Sequence, residues 1–184
     1  MLEGKLVNLR RVDKEDADFY FACFNQKDFY GEYTHPVTEQ LPKWLVIKVI
    51  EHPTDFQRAL EDNPFVILKK DATKIGFIWH FTNQPYGALE LSCFLVPSER
   101  GKGYGAEATQ RMVDYLFLSK NSVRIQTSTN VRNKEAQKTL KKVGFQIEGT
   151  IRKSQLVKGV WNDAYLLSIL REEWKEPKIV TKVA

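Results

Sequence analysis

Apolar and polar positions along this chain switch repeatedly between a period of two and a period near 3.6, and the switches divide it into strands and helices. Residues 3–12 alternate loosely and predict a first strand, after which Asp13 to Asp16 supply acidic N-terminal residues for an aromatic-rich helix running to about Phe24. Residues 25–40 hold turn formers and no period, and a helical stretch is expected over 43–60, broken near His52-Pro53. Three short apolar runs follow: PFVILKK at 64–70, IGFIWHF at 75–81 and ALELSCFLV at 88–96. The turn sequences DATK and NQPYG separate them, which predicts an antiparallel meander.

In the last of these strands Glu90, Ser92, Phe94 and Val96 share one face, and Leu91, Cys93 and Leu95 share the other. Ala108, Met112 and Leu116 or Tyr115 then recur at helical spacing, so a helix is expected from Tyr104 to about Lys120. VRIQTST at 123–129 reads as a strand, and 133–143 as a helix with Ala136, Leu140 and Val143 as its buried stripe and Gly144 as its stop. FQIEGTIRKSQLV and VWNDAYLLSIL, joined at Lys158-Gly159, predict a long hairpin. The order predicts an α/β domain of the α+β type, a mixed and mostly antiparallel central sheet flanked by helices. With no internal repeat or low-complexity tract, residues 1–184 read as a single domain, with 175–184 as a mobile tail.

Composition narrows the function classes. A chain of 184 residues, 42% apolar, can bury a core without disulfides or metals. Two cysteines, Cys23 and Cys93, are too few for a disulfide framework, and the expected setting is a reducing cytoplasm. Neither they nor His35, His52 and His80 have metal-ligand spacing, so no metal is expected. The most apolar stretch, WLVIKVI at 44–50, is interrupted by Lys48 and too short to span a bilayer, and the start of the chain has no signal-peptide core. Charge is uneven: 14 basic and 17 acidic residues precede residue 120, against 14 and 6 from it onward. That asymmetry fits an anionic partner, such as RNA or a phosphorylated cofactor, and equally an ordinary basic surface.

The stretch SERGKGYGAEAT at 98–109 carries the candidate chemistry. A strand running through glycines into a helix aims backbone N–H groups and the positive end of the helix dipole at one point, where Arg100 and Lys102 would add charge. A plain surface turn is the alternative. The run is not a P-loop, because Gly105 is followed by Ala106-Glu107 and not by Lys-Ser or Lys-Thr. It is not a dinucleotide fingerprint either, being G-x-G-x-G after several antiparallel strands.

RGKGYG at 100–105 matches the R/Q-x-x-G-x-G/A signature of the GNAT superfamily of acyl-CoA-dependent N-acyltransferases. ELSCFLVPSERGKGYGAEA, NKEAQKTLKKVGFQIEGTIR and KGVWNDAYLLSILREEW resemble, in order, segments of its ribosomal-protein (alanine) N-acetyltransferase branch. The resemblance covers nearly the whole chain. It implies acetyl-CoA as co-substrate, with Arg100, Gly101, Lys102, Gly103, Tyr104 and Gly105 around the CoA diphosphate. It also implies that Phe94, Leu95 and Val96 pair with the pantetheine arm, and that Asn133 sits beside the arm or the amine unless it serves only as a helix N-cap. A backbone N–H near Leu95 or Val96 is the implied oxyanion donor. Asp163, Trp174 and the Gly144-Phe145 pair read as structural.

The superfamily transfers the acyl group directly to an amine, so the protein must position the amine, stabilise an oxyanion and manage protons. This chain departs from it where relatives carry proton donors. Leu140 stands where many have a tyrosine, and Ala136 where the ribosomal branch has a serine. Glu90 is the candidate base, with a salt-bridged strand-end carboxylate as its alternative, and Tyr86 and Ser92 are lesser candidates. Cys93 as an acyl-carrying nucleophile is disfavoured, since no histidine neighbours it in sequence and its face is apolar.

The expected acceptor is an amine on a protein N-terminus, a ribosomal protein or a small molecule. An α-amine, with a pKa of ~7.7–8.0, suits a site without an obvious base. A homodimer is left open, and with no bilayer-length apolar stretch no membrane partner is expected. A non-catalytic acyl-CoA-binding or RNA-associated module is the competing class.

Overall fold

The structure is a computed structural model that describes residues 1–26, 28–33, 64–83 and 88–175. The helical stretch expected over 43–60, together with His35, His52, Tyr86 and all but the first residue of the expected tail, lies outside the described residues. The strands are β1 (Leu2–Glu3), β2 (Val7–Arg11), β3 (Phe65–Lys69), β4 (Lys74–Asn83), β5 (Ala88–Leu95), β6 (Arg124–Asn130), β7 (Gln146–Val157) and β8 (Val160–Leu170). They form one sheet in the order β1-β2-β3-β4-β5-β6-β8-β7, in which, among the described residues, only the β5–β6 pair is parallel. Among the described residues the α-helices are α1 (Ala17–Asn25), α2 (Tyr104–Ser119) and α3 (Lys134–Val143).

Both faces of the central strands are covered, which is why FVIL in β3 is a continuous apolar run and not an alternating one. Phe65 and Ile67 join the cluster under α2, with Leu9, Ile78, Leu91, Ile125 and the helix residues Ala108, Met112 and Leu116. Val66 and Leu68 face the other way, into an aromatic cluster with Phe77, Phe29, Tyr30 and the α1 residues Phe19, Tyr20 and Phe24.

The expected first strand over 3–12 is two strands. The chain reverses at Gly4, whose N–H donates to the Val7 carbonyl at 2.9 Å, and Leu2 pairs with Leu9. A Cβ at Gly4 would stand 2.5 Å from that oxygen. The cause of the reversal lies about a hundred residues away. The Glu107 carboxylate, in the first turn of α2, accepts from the N–H groups of Lys5 (2.5 Å), Leu6 (2.6 Å) and Val7 (3.0 Å). Hydrogen bonds to a charged group are each worth about 1.5–3 kcal/mol, less where solvent competes. Glu107→Ala is therefore expected to cost about 2–4 kcal/mol of stability, read as a lower midpoint in urea at unchanged slope. A loss below about 0.5 kcal/mol would show that the turn forms without this carboxylate.

Candidate active site between the diverging strands

β5 and β6 pair only at Leu89–Ile125 and Glu90–Gln126, after which they separate, although β5 continues to Leu95 and β6 to Asn130. The result is a wedge open toward the C-terminal ends of both strands. On its β5 side the backbone direction follows from register. Val96 N–H donates to the Ile75 carbonyl at 2.9 Å and Leu95 lies opposite Gly76, so alternate residues turn their amides to β4. Cys93 and Leu95 are the ones whose N–H groups face the wedge. Of the two candidate oxyanion donors, Val96 is committed to β4 and Leu95 is presented to the opening.

At the mouth of the wedge the chain passes through a 3-10 turn, Pro97–Glu99, into the glycine loop and α2. Gly101 and Gly103 adopt φ of +75° and +86°, a region costly for any residue with a Cβ. Gly103 is the N-cap of α2 and has no side chain to fold back on the helix, and the first helical bond is Glu107 N–H to the Gly103 carbonyl at 3.2 Å. The amides of Gly103, Tyr104, Gly105 and Ala106 precede that bond, so they converge at the positive end of the helix without helical acceptors. A Cβ on Gly105 would stand 3.5 Å from Leu95 Cδ1, so the helix start is packed directly on the end of β5.

The two cations of the loop each have partners within the chain. Lys102 pairs with Glu99 at 3.0 Å. Arg100 donates through Nε to the Leu95 carbonyl at 3.1 Å and through Nη2 to the carbonyls of Asp28 (3.0 Å) and Phe29 (2.6 Å).

Glu90 sits at the last rung before the strands part. Its Oε2 accepts from Gln126 Nε2 at 3.4 Å, and Gln126 Oε1 accepts from Arg124 Nε at 3.1 Å. Arg124 in turn grips Glu148 with both terminal nitrogens, at 2.6 and 2.7 Å. The Arg124 guanidinium, helped by the Ser168 hydroxyl, holds the Glu148 carboxyl down to about 2. Gln126 and Arg124 were invisible as site residues in sequence, because only the β5–β6 register sets them beside Glu90.

Asn133 caps α3, its Oδ1 accepting from Ala136 N–H at 3.1 Å. Ser92 and Phe94 share the strand face opposite the α2 cluster, where Phe94 stacks on Trp79 at 5.1 Å and on Phe29 at 5.9 Å. Burial pushes the Cys93 thiol up to about 12, against a weaker pull from Thr109, so almost no thiolate exists near neutrality and core packing is its role. Asp163 accepts from Lys153 N–H at 2.9 Å and Trp174 Nε1 donates to Asp114 at 2.8 Å, both structural ties.

A cleft of about 300 Å³ opens at the same end of the sheet, lined by Glu32, Tyr33, Arg132, Val157, Lys158 and Val160. Arg132 lies two residues past β6, stacks over Tyr33 at 5.8 Å and donates to Asn162 at 2.8 Å. Among the described residues no helix is long and apolar enough to cross a membrane, and no group of three His, Cys, Asp or Glu is placed to hold a metal.

The family model described as an Acetyltransferase (GNAT) domain matches residues 7–146. The chain is 29% identical over 181 residues to "Probable N-acetyltransferase YjcK" of Bacillus subtilis (strain 168), covering 94% of this chain and 98% of that one. It is also 29% identical over 174 residues to "Uncharacterized N-acetyltransferase p20" of Bacillus licheniformis, covering 91% and 94%. Two solved structures share the fold. A spermidine N-acetyltransferase from Vibrio cholerae, in complex with CoA and spermine, superposes with a TM-score of 0.78 at 22% identity over 92% of this chain and 98% of that one. A ribosomal-protein-S5-alanine acetyltransferase from Vibrio fischeri gives 0.78 at 22% over 95% and 98%.

Proposed function

We propose that this chain, which belongs to the GNAT acetyltransferase family, transfers an acetyl group from acetyl-CoA directly to a primary amine. The observation that carries the reading is the wedge between β5 and β6, ending on an N-cap glycine and four amides without helical acceptors. Acetyl-CoA supplies the activated acetyl thioester. The amides of Gly103 to Ala106 hold its diphosphate, and the wedge-facing backbone of Cys93 and Leu95 lines its arm. Leu95 N–H stabilises negative charge developing on the thioester oxygen. Glu90 receives, directly or through a water, the proton that the ammonium gives up; the neutral amine then forms the N–C bond as the C–S bond breaks and CoA leaves as its thiolate.

The acceptor is an α-amine at a protein N-terminus, or a small polyamine. Support comes from two relatives named "Putative ribosomal N-acetyltransferase YdaF" and "Spermidine N(1)-acetyltransferase". Glu32 in the cleft would meet the charge of an incoming ammonium, while Arg132 and Lys158 favour a group carrying a carboxylate or an acidic side chain nearby. Calorimetry with CoA, followed by thiol release from acetyl-CoA with a panel of N-terminal peptides, polyamines and amino acids, tests the reading. CoA binding with thiol release in at least one arm is the expected result. Tight CoA binding without release across the panel would favour the non-catalytic acyl-CoA-binding module.

A further inference from the structure

We propose that Arg100 is a positioning residue that straps the segment after α1 to the end of β5, and that it is not a ligand of the bound anion. The proposal rests on the acetyl-CoA reading above and concerns how the donor loop and the acceptor side are held together.

The geometry is specific. A guanidinium is a rigid planar fork, so its bonds fix the relative orientation of whatever it bridges. Here Nε bonds the Leu95 carbonyl, on the wedge edge of β5, and Nη2 bonds two successive carbonyls, Asp28 and Phe29. Nη1 lies 3.6 Å from where a Cβ on Gly31 would be, an ordinary contact distance, so the segment runs directly alongside the fork. Beneath the fork, Phe29 and Tyr30 pack on Phe94 at 5.9 and 5.8 Å, which places the strapped segment against the same strand. Two and three residues further on, Glu32 and Tyr33 line the cleft.

The positive charge is thus directed at three carbonyl dipoles, and the diphosphate is left to the backbone amides of α2. One residue links the first residue of the glycine loop, the wedge-facing backbone of Leu95 and the wall of the cleft. Ordering of the loop by CoA would steady residues 28–33 through it, so the acceptor wall is complete only when the donor is in place. A lysine carries the charge but cannot bond in three fixed directions, and does not replace the arginine.

Hydrogen exchange on the full chain, with CoA as the probe, tests this in the wild type, Arg100→Ala and Arg100→Lys. In the wild type, CoA slows exchange at Phe29 and Gly31, whose N–H groups bond to Gln26 and Asp28, as well as at the start of α2. In both variants Phe29 and Gly31 exchange at least tenfold faster without CoA, and CoA no longer slows them. The Kd for CoA by calorimetry stays within threefold. With the best amine of the acceptor panel, KM rises at least fivefold and kcat changes less.

A tenfold or larger, salt-sensitive rise in the CoA Kd with unaltered exchange at 28–33 would overturn the strap and make Arg100 an anion ligand. Faster exchange without a change in amine KM would reduce it to a local structural tie. Failure of the wild type to bind CoA would sink the donor reading instead, and exchange in the free protein would still decide whether the strap exists.

Discussion

Replacing Gly103 by valine is expected to raise the Kd for CoA at least tenfold, a loss of about 1.4 kcal/mol or more, while the fold survives. The reason is conformational and not one of space. A Cβ at Gly103 would sit 3.7 Å from Leu6 Cδ1, an ordinary contact, but φ there is +86° and a β-branched residue pays about 1–2 kcal/mol or more to stay in that region. The cheaper response is to rotate the peptide out of it. Rotation turns the Gly103 and Tyr104 N–H groups off the point where the first-turn amides converge, so the anion loses part of its cradle even though the rest of α2 keeps its packing under Ala108 and Met112.

Gly101→Ala is the comparison, because φ is +75° there with nothing within 4 Å of the added Cβ and the residue lies ahead of the helix. It is expected to cost similar strain and less affinity. Calorimetry with CoA and a thermal melt separate binding from folding, and an unchanged Kd in a folded Gly103→Val protein would remove the diphosphate from this loop.

The loop and its flanking elements were legible in sequence because everything that forms them is local. Strand alternation through ALELSCFLV, glycines needing positive φ and the Ala108–Met112–Leu116 period all act within a few residues. The parts that local sequence leaves out depend on partners far along the chain. Nothing near Gly4 announces a reversal, since the acceptor for its turn amides is Glu107. Arg100 is read from its neighbours as a residue of the anion loop, and its bonds to the Asp28 and Phe29 carbonyls, some seventy residues earlier, have no signal there. Which of the Leu95 and Val96 amides faces the wedge follows from the β4–β5 register, which a single strand's sequence cannot supply. The cleft proposed for the acceptor was least legible for the same reason: Tyr33, Arg132 and Lys158 come from three separate segments.

The largest expected effect belongs to Glu90. Glu90→Gln should lower kcat by about 10²–10⁴ near pH 7 with the Kd for CoA unchanged, the range that a positioned proton acceptor contributes. The substitution is nearly isosteric. Gln126 has its oxygen taken by Arg124 Nε, so its Nε2 points at residue 90 and can donate to an amide oxygen there as it does to the carboxylate. What the variant loses is the capacity to accept a proton at the apex of the wedge.

Leu140 and Ala136 carry no titratable group, so neither side chain can take over the proton. An α-amine with a pKa of ~7.7–8.0 deprotonates unaided as pH rises. If Glu90 acts on the ammonium, the defect measured with an N-terminal peptide should therefore shrink between pH 7 and pH 9, while the wild type changes less. A defect that stays constant with pH would instead place the proton transfer after amine attack. A kcat within threefold of the wild type at pH 7 would take Glu90 out of the chemistry and leave positioning by the wedge, with Leu95 N–H, as the source of the rate.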